Sequence, residues 1–207
     1  IIVLDEPTSY LDIRYKLELL DILKRMAKEK GITVLMSLHE IDLAQKCADR
    51  IVCVRGEEIM AYGTPEEVFY EETIEKLYDL DNGSYNPLSG SLELKKTEGE
   101  PEVFVISSGG NGTPIYRKLQ REGRPFAAGI LYTNDVDYQA ARVLASKIIT
   151  EEPFEEISDN TYKNAENMID QCQIVVNAGV HIGSCNHRMR NLLQYAQEKG
   201  KLKRHYL

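Results

Sequence analysis

The most constraining feature of the sequence is a regular alternation of short apolar runs and helical segments in its second half. The apolar runs lie at 103–107, 127–132, 148–150 and 174–177. The segments with helical periodicity lie at 113–122, 138–145, 161–172 and 188–199. Strands that alternate with helices in this way are typical of a parallel sheet covered by helices. The pattern therefore predicts an α/β domain over residues 102–207.

The first 80 residues also read as mixed α and β structure. The pattern predicts strands over 1–4 and 32–36, helices over 12–30, 40–48 and 64–78, and a hairpin over 49–63. The two strands are continuous in apolar residues rather than alternating, which favours fully buried, parallel strands. Gly31 is placed to end the first helix, and Thr64-Pro65 is typical of a helix start.

A change of composition separates the two halves. Residues 81–101 are rich in Gly, Pro, Ser, Asn and charge, and they contain one short strand pattern at 90–95. The sequence thus predicts a first domain over 1–80, a connector over 81–101 and a second domain over 102–207.

Composition excludes some classes of function. The net charge of −8 argues against a general nucleic-acid binder, which would carry a basic surface. No apolar run reaches the length needed to span a bilayer. The four cysteines are scattered without a CxxC pair, so we expect reduced, mostly buried thiols in a cytosolic protein.

Two adjacent acids, Asp5 and Glu6, directly follow the first predicted strand. Ligands of parallel sheets sit at the carboxyl edge, where these acids would lie. Asp5 is suited to hold Mg²⁺, and Glu6 to orient or deprotonate a water that attacks a phosphoryl group. The alternative is a strand end that carries two solvated acids.

The neighbouring residues resemble a known family. The segment LDEPTSYLD, residues 4–12, resembles the Walker B motif and D-loop of ABC-type ATPases, and residues 34–68 resemble the switch-histidine region of that family. The Ser-Tyr-Leu-Asp-Ile form is similar to importers of iron–siderophore, haem and cobalamin complexes. The resemblance covers roughly residues 1–80 and implies the C-terminal part of a P-loop-type ATPase core.

This resemblance implies a role for each matching residue. Asp5 matches the aspartate that serves Mg²⁺, Glu6 the catalytic glutamate, and His39 the switch histidine that contacts the γ-phosphate. Ser9 and Asp12 match the D-loop, which communicates across a nucleotide sandwich dimer, and are expected among the cofactor-binding residues. The expected cofactors are ATP and Mg²⁺.

The resemblance also implies partners and a location. We expect a second ATP-binding subunit, transmembrane permease subunits, an indirect link to a substrate-binding protein, and no nucleic acid. The protein would lie in the cytoplasm, peripherally on the inner face of the cell membrane. A non-transport ABC ATPase, acting in nucleic-acid or ribosome work, is the competing class.

Some elements of such an ATPase are not in the sequence. No GxxxxGK[ST] motif or LSGGQ-type signature precedes the histidine, and the segment PLSGSL at 87–92 shares letters with the signature by coincidence. We therefore expect a C-terminal fragment of a longer polypeptide. Because positioning supplies most of the catalysis in phosphoryl transfer, the isolated chain is predicted neither to bind ATP tightly nor to hydrolyse it.

A glycine-rich turn follows the first strand of the second half. Gly109, Gly110 and Gly112 could present backbone N–H groups to a nucleotide or another anion, with Asp135 and Asp137 after the next strand, about where an acid would meet a ribose. The alternative is a tight turn that needs glycine for positive φ. Loops at 132–137 and 177–186 could complete one cleft with this turn. Three potential metal ligands, His181, Cys185 and His187, lie within seven residues. Roles in the loop or in a helix cap are favoured for them over a metal site.

The second half resembles the Rossmann-like extension of some prokaryotic and archaeal importer ATPases. The likeness rests on GGNG, GILYTNDVDYQAARVLA and EEPFEEIS. It implies a Rossmann-like parallel three-layer domain with a regulatory or ligand-sensing role. A third reading of the chain makes this domain the functional centre, a ligand-binding regulatory module beside an inert ATPase half.

Overall fold

A computed structural model describes residues 1–81, 83–87 and 90–203 of the chain. The chain divides into two compact units. Unit 1 comprises Ile1–Asp81 and Pro87–Leu92, and unit 2 comprises Asn82–Asn86 and Glu93–Leu207. The fold class is mixed α/β, as predicted, with a parallel sheet in each unit.

Unit 1 begins with a parallel pair of strands joined by a long helix. The strands are β1 (Ile2–Leu4) and β2 (Val34–Met36), and the helix between them is α1 (Ile13–Lys30). Asp12 caps α1 by accepting a hydrogen bond from the Tyr15 N–H, and Gly31 ends it in the left-handed region at φ +61°. The predicted helix and parallel pairing are confirmed.

The predicted burial of both strands is wrong. Val3 and Leu35, which are paired in register, are 70% and 58% exposed. A continuous apolar run predicts cover on both faces of a strand. Among the residues that the structure describes, this sheet has only two strands, and nothing buries the face that carries Val3 and Leu35.

The rest of unit 1 is a short helix, a hairpin and two further helices. These elements are α2 (Ile41–Cys47), β3 (Ile51–Arg55), β4 (Glu58–Gly63), α3 (Pro65–Val68) and α4 (Glu71–Tyr78). The predicted single helix over 64–78 is wrong, although the capping box of Thr64 and Glu67 that begins it is present. The helix breaks because Phe69 leaves helical geometry and is buried, and α4 restarts after the extended Tyr70.

A third two-stranded sheet lies in the predicted connector. It consists of β5 (Gly83–Asn86) and β6 (Ser91–Leu94). The strand predicted within 90–95 is therefore confirmed, while β5 lacks an apolar pattern and was not predicted. Two residues of the segment that shares letters with the signature motif, Leu88 and Ser89, lie outside the described residues.

Unit 2 is built around a five-stranded parallel sheet. Its elements are β7 (Val103–Ile106), α5 (Thr113–Arg121), β8 (Phe126–Tyr132), α6 (Val136–Leu144), β9 (Lys147–Glu151), α7 (Asp159–Gln171), β10 (Ile174–Asn177), α8 (Met189–Glu198) and β11 (Leu202–Lys203). The strands run in the order β11-β10-β7-β8-β9. The predicted alternation is confirmed, and only the two-residue β11 was not predicted.

Helices cover both faces of this sheet. Phe104 and Ile106 of β7 belong to a buried cluster with residues of α7 and α8. Val103 and Val105, which point to the opposite face, belong to a second cluster with residues of α5 and α6. The predicted three-layer arrangement is therefore confirmed, and the chain reverses its direction of travel across the sheet between β7 and β10.

Candidate functional site

The candidate catalytic residues of unit 1 lie at the carboxyl ends of two adjacent parallel strands. Asp5 and Glu6 follow β1, whereas Ser37 and His39 follow β2. Because β1 and β2 are parallel, both loops leave the sheet at the same edge. The fold therefore brings together two groups of residues that are more than 30 positions apart in the sequence.

Glu6 is the centre of this edge. His39 Nε2 lies 2.6 Å from Glu6 Oε1, and the Ser9 hydroxyl donates to Glu6 Oε2 at 2.9 Å. The contact with His39 and then that with Ser9 lower the pKa of the Glu6 carboxyl. The backbone at Glu6 has φ +43°, which a non-glycine residue rarely adopts, and its N–H donates to Ser37 Oγ at 2.8 Å. Glu6 is thus held as an ionised acceptor at an open edge.

Asp5 lies beside Glu6 and has a different partner. The Ser37 hydroxyl donates to Asp5 Oδ1 at 2.7 Å, so one serine fixes both acidic residues. In the described part of the chain, no group of three or more His, Cys, Asp and Glu side chains could by itself hold a metal ion. A single exposed carboxylate fits Mg²⁺, which keeps several waters and is completed by substrate phosphates.

The two predicted D-loop residues have contacts within unit 1. Ser9 bonds Glu6, and Asp12 caps α1. Between them Tyr10 is fully exposed, at 100% of its surface. The structure thus gives Ser9 and Asp12 positioning roles, and their predicted contact with a cofactor stays a prediction.

Sequence reasoning missed a second network next to His39. Thr8 is completely buried, and its hydroxyl donates to Glu40 Oε2 at 2.8 Å. Lys16 Nζ donates to Glu40 Oε1 at 2.5 Å, and these two contacts lower the pKa of Glu40, the one from Lys16 most. Lys16 lies one helical turn after the cap Asp12. The position of Lys16 on α1 was visible in the sequence. The sequence does not show that its partner is Glu40, in the loop after β2.

The glycine-rich turn of unit 2 is occupied by carboxylates of the same chain. The Gly109 N–H donates to both oxygens of Asp135, at 3.0 and 3.1 Å. The Gly112 N–H donates to Asp137 at 3.1 and 3.0 Å, and both the N–H and the hydroxyl of Thr113 donate to the same side chain at 3.1 Å. Asp137 is completely buried. The N–H groups at the start of α5 are therefore already paired with negative charge.

The loops that follow the neighbouring strands β7 and β10 are joined by direct hydrogen bonds. Asn111 Nδ2 donates to the Gly179 carbonyl at 2.9 Å, and the His181 N–H donates to Ser108 Oγ at 2.8 Å. The predicted cleft between the turn and the loop at 177–186 is thus bridged at two points. His187 Nδ1 contacts the Ser184 carbonyl, which is a role within its own loop.

Comparison with known proteins adds two kinds of match. A model of the MJ0874 family matches residues 126–203, which run from β8 to β11. The uncharacterized ABC transporter ATP-binding protein MJ0873 of Methanocaldococcus jannaschii is 37% identical over 132 residues, which are 63% of this chain and 46% of that protein. These similarities include both units of the chain.

Two further relatives have names that state a transported compound. The cobalamin import ATP-binding protein BtuD of Halobacterium salinarum is 25% identical over 80% of this chain and 43% of its own length. The ferric enterobactin transport ATP-binding protein FepC of Escherichia coli is 39% identical over 39% of this chain and 30% of its own length. The chain spans less than half the length of the curated relatives it matches. No described helix is long and apolar enough to cross a membrane.

Proposed function

Since the chain is homologous to ATP-binding subunits of ABC transporters, we propose that it forms part of an ATP-hydrolysing subunit that powers import of an iron–siderophore, haem or cobalamin-type complex. The observation that carries this proposal is the 2.6 Å contact between Glu6 and His39 at neighbouring strand ends. The relatives that transport petrobactin and achromobactin support the same class of cargo.

Each residue at this edge has a distinct role in the proposed reaction. Glu6, held in place by His39 and Ser9, orients the attacking water or accepts its proton. His39 holds Glu6 in place and offers its ring to the γ-phosphate. Asp5 would hold Mg²⁺, which neutralises the charge that develops on the phosphate oxygens.

The proposed assembly extends beyond this chain. Two ATP-binding subunits would close on ATP, with Ser9 and Asp12 near the shared surface, and they would bind transmembrane permease subunits at the cytoplasmic face of the membrane. A substrate-binding protein would act on them only through the permease. The sequence contains no GxxxxGK[ST] motif, so we expect the phosphate-binding residues to come from elsewhere and the isolated chain to be inactive.

A chimera tests the role of Glu6 directly. Residues 1–81 would replace the matching segment of the E. coli protein FepC, and ATP hydrolysis would be measured. We expect turnover in the chimera and a loss of at least about 100-fold in Glu6→Gln, because a positioned base contributes rate of that order. Glu18→Gln, which changes an exposed acid of α1, is the matched control. Equal activity of the two variants in a folded, ATP-binding chimera would overturn the assignment.

For unit 2 we infer a regulatory or ligand-sensing role. The competing assignment, a nucleotide on the glycine-rich turn, would have to displace Asp135 and Asp137 from Gly109 and Gly112. A thermal-shift screen of the whole chain with nucleotides, corrinoids and iron chelates tests this role. A shift with a corrinoid or chelate supports sensing, whereas no shift with any compound favours a purely structural unit.

A further inference from the structure

The outer side of β9 is one of the two edges of the five-stranded sheet of unit 2. β9 ends the five-stranded sheet, and in the described part of the chain no strand pairs with its outer side. Its side chains are nevertheless anchored, because Ile149 is buried in one core cluster and Ile148 packs against the other. The strand therefore presents a fixed row of backbone N–H and C=O groups, which is a template for another strand. One of these groups, the Thr150 carbonyl, also accepts the Thr161 hydroxyl at 3.5 Å, and it keeps a second lone pair.

A cavity lies along this edge between β9 and α7. It has a volume of about 460 Å³, and the helix side is lined by Asn164, Asn167, Met168 and Gln171. These residues are spaced at three, four and seven positions, so they share one face of α7. Amide side chains on this face can both donate and accept hydrogen bonds, so it is suited to contact with a matching polar surface.

The sequence of β9 is complementary to itself. It reads Lys-Ile-Ile-Thr-Glu, with Lys147 at one end and Glu151 at the other. In an antiparallel pair with the two-fold axis at Ile149, each Lys147 faces the Glu151 of the other copy. A parallel pair would place like charges side by side, and a shift of one residue would reverse the faces of the strand.

We propose that a second copy of this chain pairs with β9 in antiparallel register, which gives a two-fold symmetric dimer with one continuous sheet. The same patch serves both copies, as closed symmetry requires. α7 of each copy would lie beside the joint, so that Asn164, Asn167 and Gln171 add polar contacts to the strand pairing.

Local contacts prepare both charged residues for this role. Glu151 accepts the Ser158 N–H at 2.8 Å, which fixes the carboxylate while leaving lone pairs for a lysine. Lys147 pairs with Glu100 at 2.6 Å, but the side chain of Glu100 is 84% exposed. An exposed ion pair of that kind contributes little free energy and can be exchanged for one across the interface.

Charge-reversal variants of the whole chain, without nucleotide, test this proposal. Sedimentation is measured from about 10 to 300 µM, because a five-residue strand and one helix face give an interface at the small end of the specific range. We expect the dimeric fraction of the wild type to rise with protein concentration. We expect Lys147→Glu and Glu151→Lys each to remain monomeric, because each places like charges opposite one another.

Mixing the two variants is the decisive measurement. One chain then has acids at both ends of β9 and the other has lysines, so an equimolar mixture is expected to form the dimer that neither forms alone. Arg190→Glu, an exposed charge reversal on α8, is the matched control and should dimerise like the wild type. A monomeric wild type, a dimer unaffected by Lys147→Glu, or a folded mixture that stays monomeric would overturn the proposal.

The loss of the Ser158 contact could unfold Glu151→Lys, so a second series is needed. Circular dichroism checks the fold of each variant. If Glu151→Lys is unfolded, Lys147→Gln and Lys147→Glu decide, and dimerisation should weaken in that order. Equal dimerisation of these two and the wild type contradicts the predicted register.

Discussion

The two units differ in how they are held together. In unit 1 the buried hydrophobic side chains of the described residues are Leu20, Leu23, Cys53, Val68, Phe69 and Ile74. In unit 2 every strand of the sheet from β7 to β10 contributes to one of two buried clusters. Unit 1 instead exposes apolar residues of both of its sheets, such as Val3, Leu35, Val54, Ile59 and Tyr62.

The functional motif and the larger hydrophobic core therefore lie in different units. The residues with the strongest functional motif, Asp5, Glu6 and His39, lie in the unit with the smaller core. The self-contained unit has a glycine-rich turn whose donors bind its own carboxylates. A conspicuous motif therefore says little about whether its surroundings fold alone, and a complete fold says little about a ligand.

The largest expected difference between the units is their resistance to proteolysis. Burial of apolar surface is the main stabilising term, so unit 1 should open locally far more often than unit 2. Limited proteolysis of the whole chain should cut within residues 1–81 at least about 100-fold faster than within 103–203, because cleavage follows the population of open forms. Mass spectrometry identifies the cuts. Equal rates in the two units would contradict the comparison.

Two buried cysteines allow the same comparison at single residues. Cys53 of unit 1 and Cys172 of unit 2 are 4% and 1% exposed, and burial raises the pKa of both thiols, that of Cys172 to about 11. Labelling of either thiol therefore requires opening. In variants that keep only one of the two, we expect Cys53 to react at least about tenfold faster, a difference of about 1.4 kcal/mol in opening.

The half-buried Cys47 provides the reference for this labelling experiment. A variant that keeps only Cys47 gives the labelling rate of a thiol in unit 1 that is less buried than Cys53. Similar rates for Cys53 and Cys172, both far below that of Cys47, would show that unit 1 is as closed as unit 2.

A substitution at Asp137 tests whether the turn of unit 2 binds its own carboxylate as a structural element. Asp137→Asn keeps the shape but loses the charge that four hydrogen bonds use, so we expect a loss of about 2–4 kcal/mol in the free energy of unfolding. Urea denaturation measures it. Asp135→Asn, which removes the charge of a less buried helix cap, should lose about 1 kcal/mol.

Anion binding provides a second measurement at the same turn. In Asp137→Ala the N–H groups of Gly112 and Thr113 lose their acceptor, and the start of α5 becomes an anion site. Sulfate should then raise the melting temperature of this variant more than that of the wild type. An equal rise in both would mean that the N–H groups do not depend on Asp137.

The sequence predicted the elements of unit 2 well because its strands are covered on both faces, which produces unbroken apolar runs between helices. It could not predict the exposure of Val3 and Leu35, because the same kind of run occurs in a strand with one open face. The break falls at Phe69, which is buried, and helix propensity does not mark that position. β11 is too short, at two residues, to give a periodic signal.

The site was predictable only where residues form a local motif. Asp5, Glu6 and His39 were proposed because their spacing resembles one family, and the structure brings Glu6 and His39 into contact, while their roles stay a prediction. The acceptors of the glycine-rich turn were not found, because nothing in the turn says whether its N–H groups bind a ligand or a carboxylate 25 residues later. Thr8, Lys16 and Glu40 were missed for the same reason.

The smallest expected effect concerns this missed network. Folding lowers the pKa of the Glu40 carboxyl, so this group stabilises the folded state above its unfolded pKa of about 4.3. That stabilisation is lost as the pH falls through the pKa of the folded state. In Lys16→Met we expect the Glu40 carboxyl to titrate closer to its ordinary value by carbon NMR. The free energy of unfolding at neutral pH should fall by less than about 1 kcal/mol, because the pair is partly exposed.

Arg25→Met, which removes an exposed ion pair with Asp21 on the same helix, is the control and should leave the titration of Glu40 unchanged. If Lys16→Met also leaves it unchanged, the hydroxyl of the buried Thr8 alone holds the carboxylate. Thr8→Val would then produce the shift instead. The position of the His39 loop would then depend on a hydrogen bond from a neutral hydroxyl to the Glu40 carboxylate, and salt screens such a bond less than an ion pair.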